Sequence, residues 1–200
     1  MKRQPTRIDL IRHGEPEGGR RYRGQIDDPL SDRGWRQMRE AVGTERHWQR
    51  IVTSPLARCK AFALELGARH RIPVSEDTRL MEVGFGVWEG KTRQELETEV
   101  PGQVSRFYLN PVKHRPPGAE PLDVFTARVQ AGFEDLLEKH AGLNILVVAH
   151  AGVIRAVIAH VLGAPVESMY RIQVDNAGIS RLVLDGERPM SLVGHGIRVN

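Results

Sequence analysis

The segment ILVVA at residues 145–149 is apolar at every position, as a central strand of a parallel sheet is when both of its faces are covered. Directly after it, Val153, Ile154, Val157, Ile158, Val161 and Leu162 recur at helical spacing and stop at Gly163, which predicts one buried helical stripe with a glycine stop. A strand, a tight turn and a helix therefore follow one another. Shorter apolar or β-branched segments at Ile8 to Ile11, Ile51 to Thr53 and Ile179 to Leu184 are separated by helical patterns. That rhythm predicts an α/β protein with a largely parallel sheet.

Size and composition fit this fold class. A chain of 200 residues favours one domain, or at most two small ones, and buries roughly 70% of the surface its unfolded form exposes. Charged residues make up 27% and apolar ones 40%, and no run approaches the ~18 consecutive apolar residues of a membrane span. Neither a membrane partner nor a secretory signal is expected, because the basic start MKRQPTRIDL has no apolar h-region behind it. A cytoplasmic location is the default, and the single cysteine, Cys59, suits a reducing compartment. The net charge of +4 points to anionic ligands. The arginines are scattered, with no zinc-finger spacing and no RNP-type aromatic motif, so nucleic acid is not the expected partner.

Local signals add detail. Ser54-Pro55 offers an N-cap serine and a proline at the first helical position, which places Arg58 in the first turns of a second helix. Thr92-Arg93-Gln94-Glu95 is a capping-box pattern. Five prolines between Pro101 and Pro121 predict a long excursion over one face, a lid or substrate wall rather than a regular core element.

Open α/β sheets bind ligands at the carboxyl ends of their strands. Here the first strand ends in Arg12-His13-Gly14, the second in Thr53-Ser54-Pro55 with Arg58 just beyond, and the central one in His150-Ala151-Gly152. A lone strand-end histidine is more often structural than catalytic, and a lone arginine is usually just solvated. Two of each converging on one cleft, beside helix N-termini that also favour anions, suit a phosphate.

These residues resemble those of the histidine phosphatases, in the phosphoglycerate-mutase-like branch. LIRHGEP at 10–16 matches the family signature, and DDPLSDRG at 27–34, TSPLARCKAFA at 53–63, LMEVGFGVWEG at 80–90, PPGAE at 116–120 and VVAHAGVIR at 147–155 resemble its later blocks in the same order. Most of the chain is covered. The resemblance implies a three-layer α/β/α sandwich with a mostly parallel central sheet, spanning residues 1–200 as one domain. It makes His13 the nucleophile, Arg12, Arg58 and His150 the phosphate clamp, and Glu82 the proton donor, with the backbone N–H groups of Gly24 and Ala151 contacting substrate. It implies a phosphomonoesterase that needs no cofactor.

Elementary chemistry supports this division of labour. Histidine attacks phosphorus only as neutral imidazole, and cations near it disfavour protonation. Planar guanidinium forks suit the equatorial oxygens of a transferring phosphoryl group better than lysine does. Glu82 must carry a proton to act as an acid; its neighbours Met81, Val83, Phe85, Val87 and Trp88 would raise its pKa while nearby arginines would lower it. Glu89 is a competing carboxylate. Rival chemistries fail on spacing, since Glu65 stands where a cysteine-dependent phosphatase would need an arginine six residues after Cys59. Phe85 stands where a P-loop across 85–92 would need glycine. None of the eight histidines falls at H-x-H or H-E-x-x-H spacing, so no metal is expected.

The loop EPEGGRRYRGQIDDPLS at 15–31 departs from the family's mutases. It lacks their substrate-contacting asparagine and is about two residues shorter, which favours hydrolysis over phosphate return. Its RYRGQ-x-D-x-PLS pattern looks most like the α-ribazole phosphatases of cobalamin assembly, with Arg20, Arg21 and Arg23 expected at the entrance. The partner expected is thus a small phosphorylated metabolite, α-ribazole 5′-phosphate first and a broader set of phosphomonoesters second. The sequence leaves room for a homodimer.

Overall fold

In a computed structural model the described residues are 4–44 and 47–197; Met1 to Arg3, the start of the basic N-terminal stretch, lie outside them. Six strands form one sheet: β1 (Thr6–Arg12), β2 (Arg50–Thr53), β3 (Val74–Glu76), β4 (Asn144–Ala149), β5 (Ile179–Leu184) and β6 (Ser191–Ile197), in the order β3-β2-β4-β1-β5-β6. The first four in that order pair in parallel, while β5 runs antiparallel to both of its neighbours. The largely parallel sheet is therefore present, with β4 beside β1 at its centre.

The two-residue period of a strand sorts its side chains into two cores. Ile8 and Leu10 of β1 join Ile145, Val147 and Ala149 of β4 on one face. Helices α5 (Leu122–Lys139) and α6 (Ala151–Val161) cover that face with Phe125, Val129, Phe133, Ile154 and Val157. On the other face Ile11, Ile51, Leu146 and Val148 meet Met38 and Val42 of α1 (Asp32–Val42) and Phe62 and Leu66 of α2 (Ala57–His70). Each such buried aliphatic or aromatic side chain contributes roughly 1.5–3 kcal/mol. The result is the three-layer α/β/α arrangement.

Several local expectations change. Helix α2 begins at Ala57 rather than at the Ser54-Pro55 cap, and the Ser54 hydroxyl accepts instead from the Leu56 N–H at 3.3 Å. Leu162 falls outside the buried stripe of α6 and is 59% exposed. The expected capping box is present, with Thr92 and Glu95 bonded reciprocally at the start of α3 (Arg93–Glu99). The proline-rich stretch holds a helix, α4 (Gln103–Leu109), whose Val104 and Phe107 are fully buried. Its prolines bracket that helix instead of interrupting it, so part of the expected excursion belongs to the core. Among the described residues no helix is long and apolar enough to cross a membrane.

Candidate active site

The carboxyl ends of β1 and β4 lie side by side, with Arg12 opposite Ala149. The ladder continues one bond further, as the His13 N–H donates to the Ala149 carbonyl at 3.0 Å. From the other side the turn before β5 grips the same tip. The Arg12 N–H donates to the Gly178 carbonyl at 3.2 Å, the Ala177 N–H to the Arg12 carbonyl at 3.0 Å, and Asn176 Nδ2 to the His13 carbonyl at 3.1 Å. His13 is buried at 5% exposure. Its Nδ1 lies 2.7 Å from the Gly14 carbonyl, which can only accept. Nδ1 therefore carries the ring proton, and Nε2 presents its lone pair.

Burial, then the guanidinium charges of Arg12 and Arg58, hold His13 well below the usual histidine range. His150 is displaced the same way, by burial and then by Arg58. Its ring stands edge-on to His13 at a centroid distance of 5.2 Å, and its Nε2 is 2.7 Å from the Ser54 hydroxyl. Both imidazoles are thus neutral near pH 7.

Arg12 donates from Nη1 to the Val174 carbonyl at 2.7 Å, and Arg58 donates to the carbonyls of Ile26 at 2.6 Å and Gly24 at 2.8 Å. Burial pulls Arg12 down to about 10 and lowers Arg58 as well, yet both stay charged at neutral pH. The Nε of each is buried without a hydrogen-bond partner among the described residues, and the hydrogen bonds of both guanidiniums there go to backbone carbonyls rather than to carboxylates. Arg58 is buried and Arg12 partly so, and burying a cation without a contacting counter-ion is costly. Two such guanidiniums beside a neutral imidazole make a pocket that a bound anion would relieve.

Glu82 is nearly buried, at 8% exposure. Its carboxyl oxygens accept from the Gly152 N–H at 3.1 and 3.2 Å and from the Val83 N–H at 3.0 Å, and the group lies within electrostatic reach of both Arg12 and Arg58. Gly152 is the second residue of α6, and a Cβ there would stand 2.3 Å from Glu82 Oε1. Only glycine lets the carboxylate reach that amide. Glu89 is committed elsewhere, since its Oε1 accepts from the Phe85 N–H at 2.9 Å and the Gln25 N–H at 3.2 Å.

The remaining candidates divide. Ala151 opens α6, so its N–H belongs to the first turn, whose amides lack intrahelical acceptors. Gly24 has φ 52°, and a Cβ there would meet Glu89 Oε1 at 2.0 Å. Arg23 departs from the expected entrance position: it is 8% exposed, its Nε donates to Asp28 at 2.8 Å, and its Nη2 donates to the carbonyls of Gly19, at 2.6 Å, and Glu17. Most of its donors brace the loop. Arg20 and Arg21 are exposed, Arg21 donating to the carbonyls of Gly18 and Gly90. Ser54, Gly152 and Asn176 were not assigned to the site from sequence. For Asn176 the signal was the turn-like VDNAG before β5. Among the described residues no group of three or more His, Cys, Asp or Glu side chains is placed to hold a metal.

Known proteins share this fold. The Bifunctional protein Rv2228c of Mycobacterium tuberculosis is 33% identical over 196 residues, which is 94% of this chain and 54% of that protein, so the chain spans about half the relative's length. The mycobacterial glucosyl-3-phosphoglycerate phosphatase Rv2419c is similar in structure with a TM-score of 0.86 at 26% identity, covering 96% of this chain and 99% of that one. The alpha-ribazole phosphatase from Shigella flexneri has a TM-score of 0.81 at 28% identity, covering 96% of each chain. Residues 8–195 match the model of the histidine phosphatase superfamily (branch 1), and the chain belongs to that family.

Proposed function

We propose that this chain, as one domain over residues 1–200, hydrolyses phosphomonoesters through a phosphohistidine at His13. It is a phosphoric monoester hydrolase of the histidine phosphatase type. The observation that carries this reading is the His13 Nε2 lone pair beside Arg12 and Arg58, two guanidiniums whose Nε atoms are buried without a hydrogen-bond partner and that contact no carboxylate among the described residues. In the first step Nε2 attacks phosphorus, the P–O bond to the alcohol breaks, and Glu82 gives its proton to the departing oxygen. Arg12, Arg58 and His150 hold the remaining oxygens, with the N–H groups of Ala151 and Gly24 as further donors. In the second step water attacks from the vacated side and yields a proton to the Glu82 carboxylate. The P–N bond breaks, and inorganic phosphate leaves with neutral His13 restored.

For the substrate, we favour α-ribazole 5′-phosphate. The RYRGQ-x-D-x-PLS loop and the likeness to an alpha-ribazole phosphatase support it. A panel of α-ribazole 5′-phosphate, glucosyl-3-phosphoglycerate, 3-phosphoglycerate and phosphoserine tests the choice by kcat/KM. α-Ribazole 5′-phosphate is expected to exceed the others by at least about tenfold, a 1.4 kcal/mol preference. Comparable values across the panel would establish a broad small-molecule phosphatase instead, and phosphate transfer between hydroxyls without release would establish a mutase.

A further inference from the structure

Glu82 lies between two short 3₁₀ turns, Thr78–Leu80 and Gly86–Trp88, so no helix or strand fixes its backbone. One side chain from α5 does so instead. Arg128 donates from Nη1 to the carbonyls of Arg79 at 2.7 Å and Met81 at 2.8 Å. Its Nη2 donates to the Glu82 carbonyl at 3.1 Å and to Glu120 Oε2 at 2.9 Å, and its Nε donates to Glu120 Oε1 at 2.7 Å. A guanidinium has five N–H donors, and here all five are used. Its carbon also lies 4.8 Å from the Phe125 ring centroid.

Glu120 extends the grip to the far side of Glu82. Its Oε2 accepts from the Gly84 N–H at 3.2 Å, and its own N–H donates to the Gly84 carbonyl at 3.1 Å. The backbone is thus pinned at residues 79, 81, 82 and 84 by one ion pair. Lysine could not replace the arginine, because three donors on a point charge cannot match a planar fork plus three carbonyls.

We propose that Arg128 and Glu120 form a positioning pair that sets the backbone of residues 79–84 so that the Glu82 carboxylate meets the leaving oxygen. The proposal rests on the reading of Glu82 as proton donor. Arg128 touches no reacting atom. Its charge also reaches His150, but only the part of its effect that passes through Glu82 depends on how much help the leaving group needs.

The test compares kcat/KM for an alkyl phosphate and for p-nitrophenyl phosphate in wild type, Glu82→Gln, Arg128→Lys, Arg128→Met and Glu120→Gln, with near-UV circular dichroism as the check on folding. Glu82→Gln is expected to lose about 10²-fold or more on the alkyl ester and far less on the activated one. Arg128→Met should lose about 10²-fold selectively, the scale of a 1 Å misplacement. Arg128→Lys and Glu120→Gln, which keep a partial grip and guard against a misfolded Met variant, should show the same selectivity at about tenfold. The double variant Glu82→Gln/Arg128→Lys should show no more selectivity than Glu82→Gln. Should Glu82→Gln be selective while folded Arg128 and Glu120 variants lose both substrates equally, or neither, the positioning role is wrong and the proton-donor reading stands. Equal losses on both substrates in Glu82→Gln would overturn the proton-donor reading, and the positioning role with it.

Discussion

The two halves of the site are built by different means. His13, Arg12 and His150 stand on the tips of β1 and β4 or one residue beyond, where ladder hydrogen bonds and register hold them. Glu82 and the loop around Arg23 lie in irregular chain, where arginine side chains take the place of a ladder. Arg23 holds the carbonyls of residues 17 and 19, Arg58 those of 24 and 26, Arg115 those of 84 and 120, and Arg128 those of 79, 81 and 82. Four of the arginines that contribute to the basic charge thus hold backbone carbonyls of irregular chain. The lesson is that the sheet positions the proposed nucleophile and the braced loops position the proposed acid.

That difference predicts different losses. Arg58→Ala removes part of the proposed phosphate clamp and should weaken transition-state binding by about 3 kcal/mol or more, by analogy with removing one oxyanion donor. The loss should be the same for activated and alkyl esters. A kcat/KM within threefold of wild type would remove Arg58 from the site. Gly152→Ala acts on the other half, because its new Cβ stands 2.3 Å from Glu82 Oε1. Alkyl phosphates should lose about 10²-fold and p-nitrophenyl phosphate little, while α6 itself gains about 1 kcal/mol of helix propensity. Equal losses on the two esters would mean that Glu82 does not serve the leaving group.

How much of each half was legible follows from the same contrast. The placement of Arg12, His13 and His150 at strand ends was legible because a strand-end position can be read from neighbouring residues. Arg23 was misplaced because nothing local tells which of Arg20, Arg21 and Arg23 turns inward; Asp28 and the carbonyls of Glu17 and Gly19 decide it. Arg128 reaches back 46 residues to the Glu82 carbonyl, and no spacing rule announces such a contact. β3 has three residues and β6 carries Gly194 and Gly196, so neither shows the apolar run that marked β1, β2, β4 and β5. Helix α4 was missed because Pro101 and Pro111 flank it and disguise an ordinary amphipathic turn.

The neutral histidines of the sheet half make a smaller prediction. His13 and His150 are pushed below the ordinary value of 6.5 by burial and neighbouring guanidiniums. In the unfolded chain they protonate normally, so unfolding takes up protons below about pH 6.5. Their contribution to stability is complete above that pH. It is lost as pH falls, at up to about 1.4 kcal/mol per pH unit for each histidine. Urea melts from pH 7 to pH 5 should show the decline, and His13→Ala should make it shallower. A slope unchanged in His13→Ala would mean that His13 is not held neutral. Smallest of all should be the effect of chelator. The cations facing His13 are arginines, so EDTA should leave the rate unchanged, and a loss restored by Mg²⁺ or Zn²⁺ would contradict the mechanism.

The covalent step at His13 is the centre of the account, and trapping it is the direct measurement. Enzyme mixed with ³²P-labelled substrate and quenched rapidly in alkali, where phosphohistidine survives, should carry label on the peptide containing His13, and the label should vanish on acid treatment. His13→Ala should trap none and turn over no substrate. Absence of label from wild type during steady turnover, or undiminished activity in His13→Ala, would mean that water attacks phosphorus directly and that the strand tip serves only to bind.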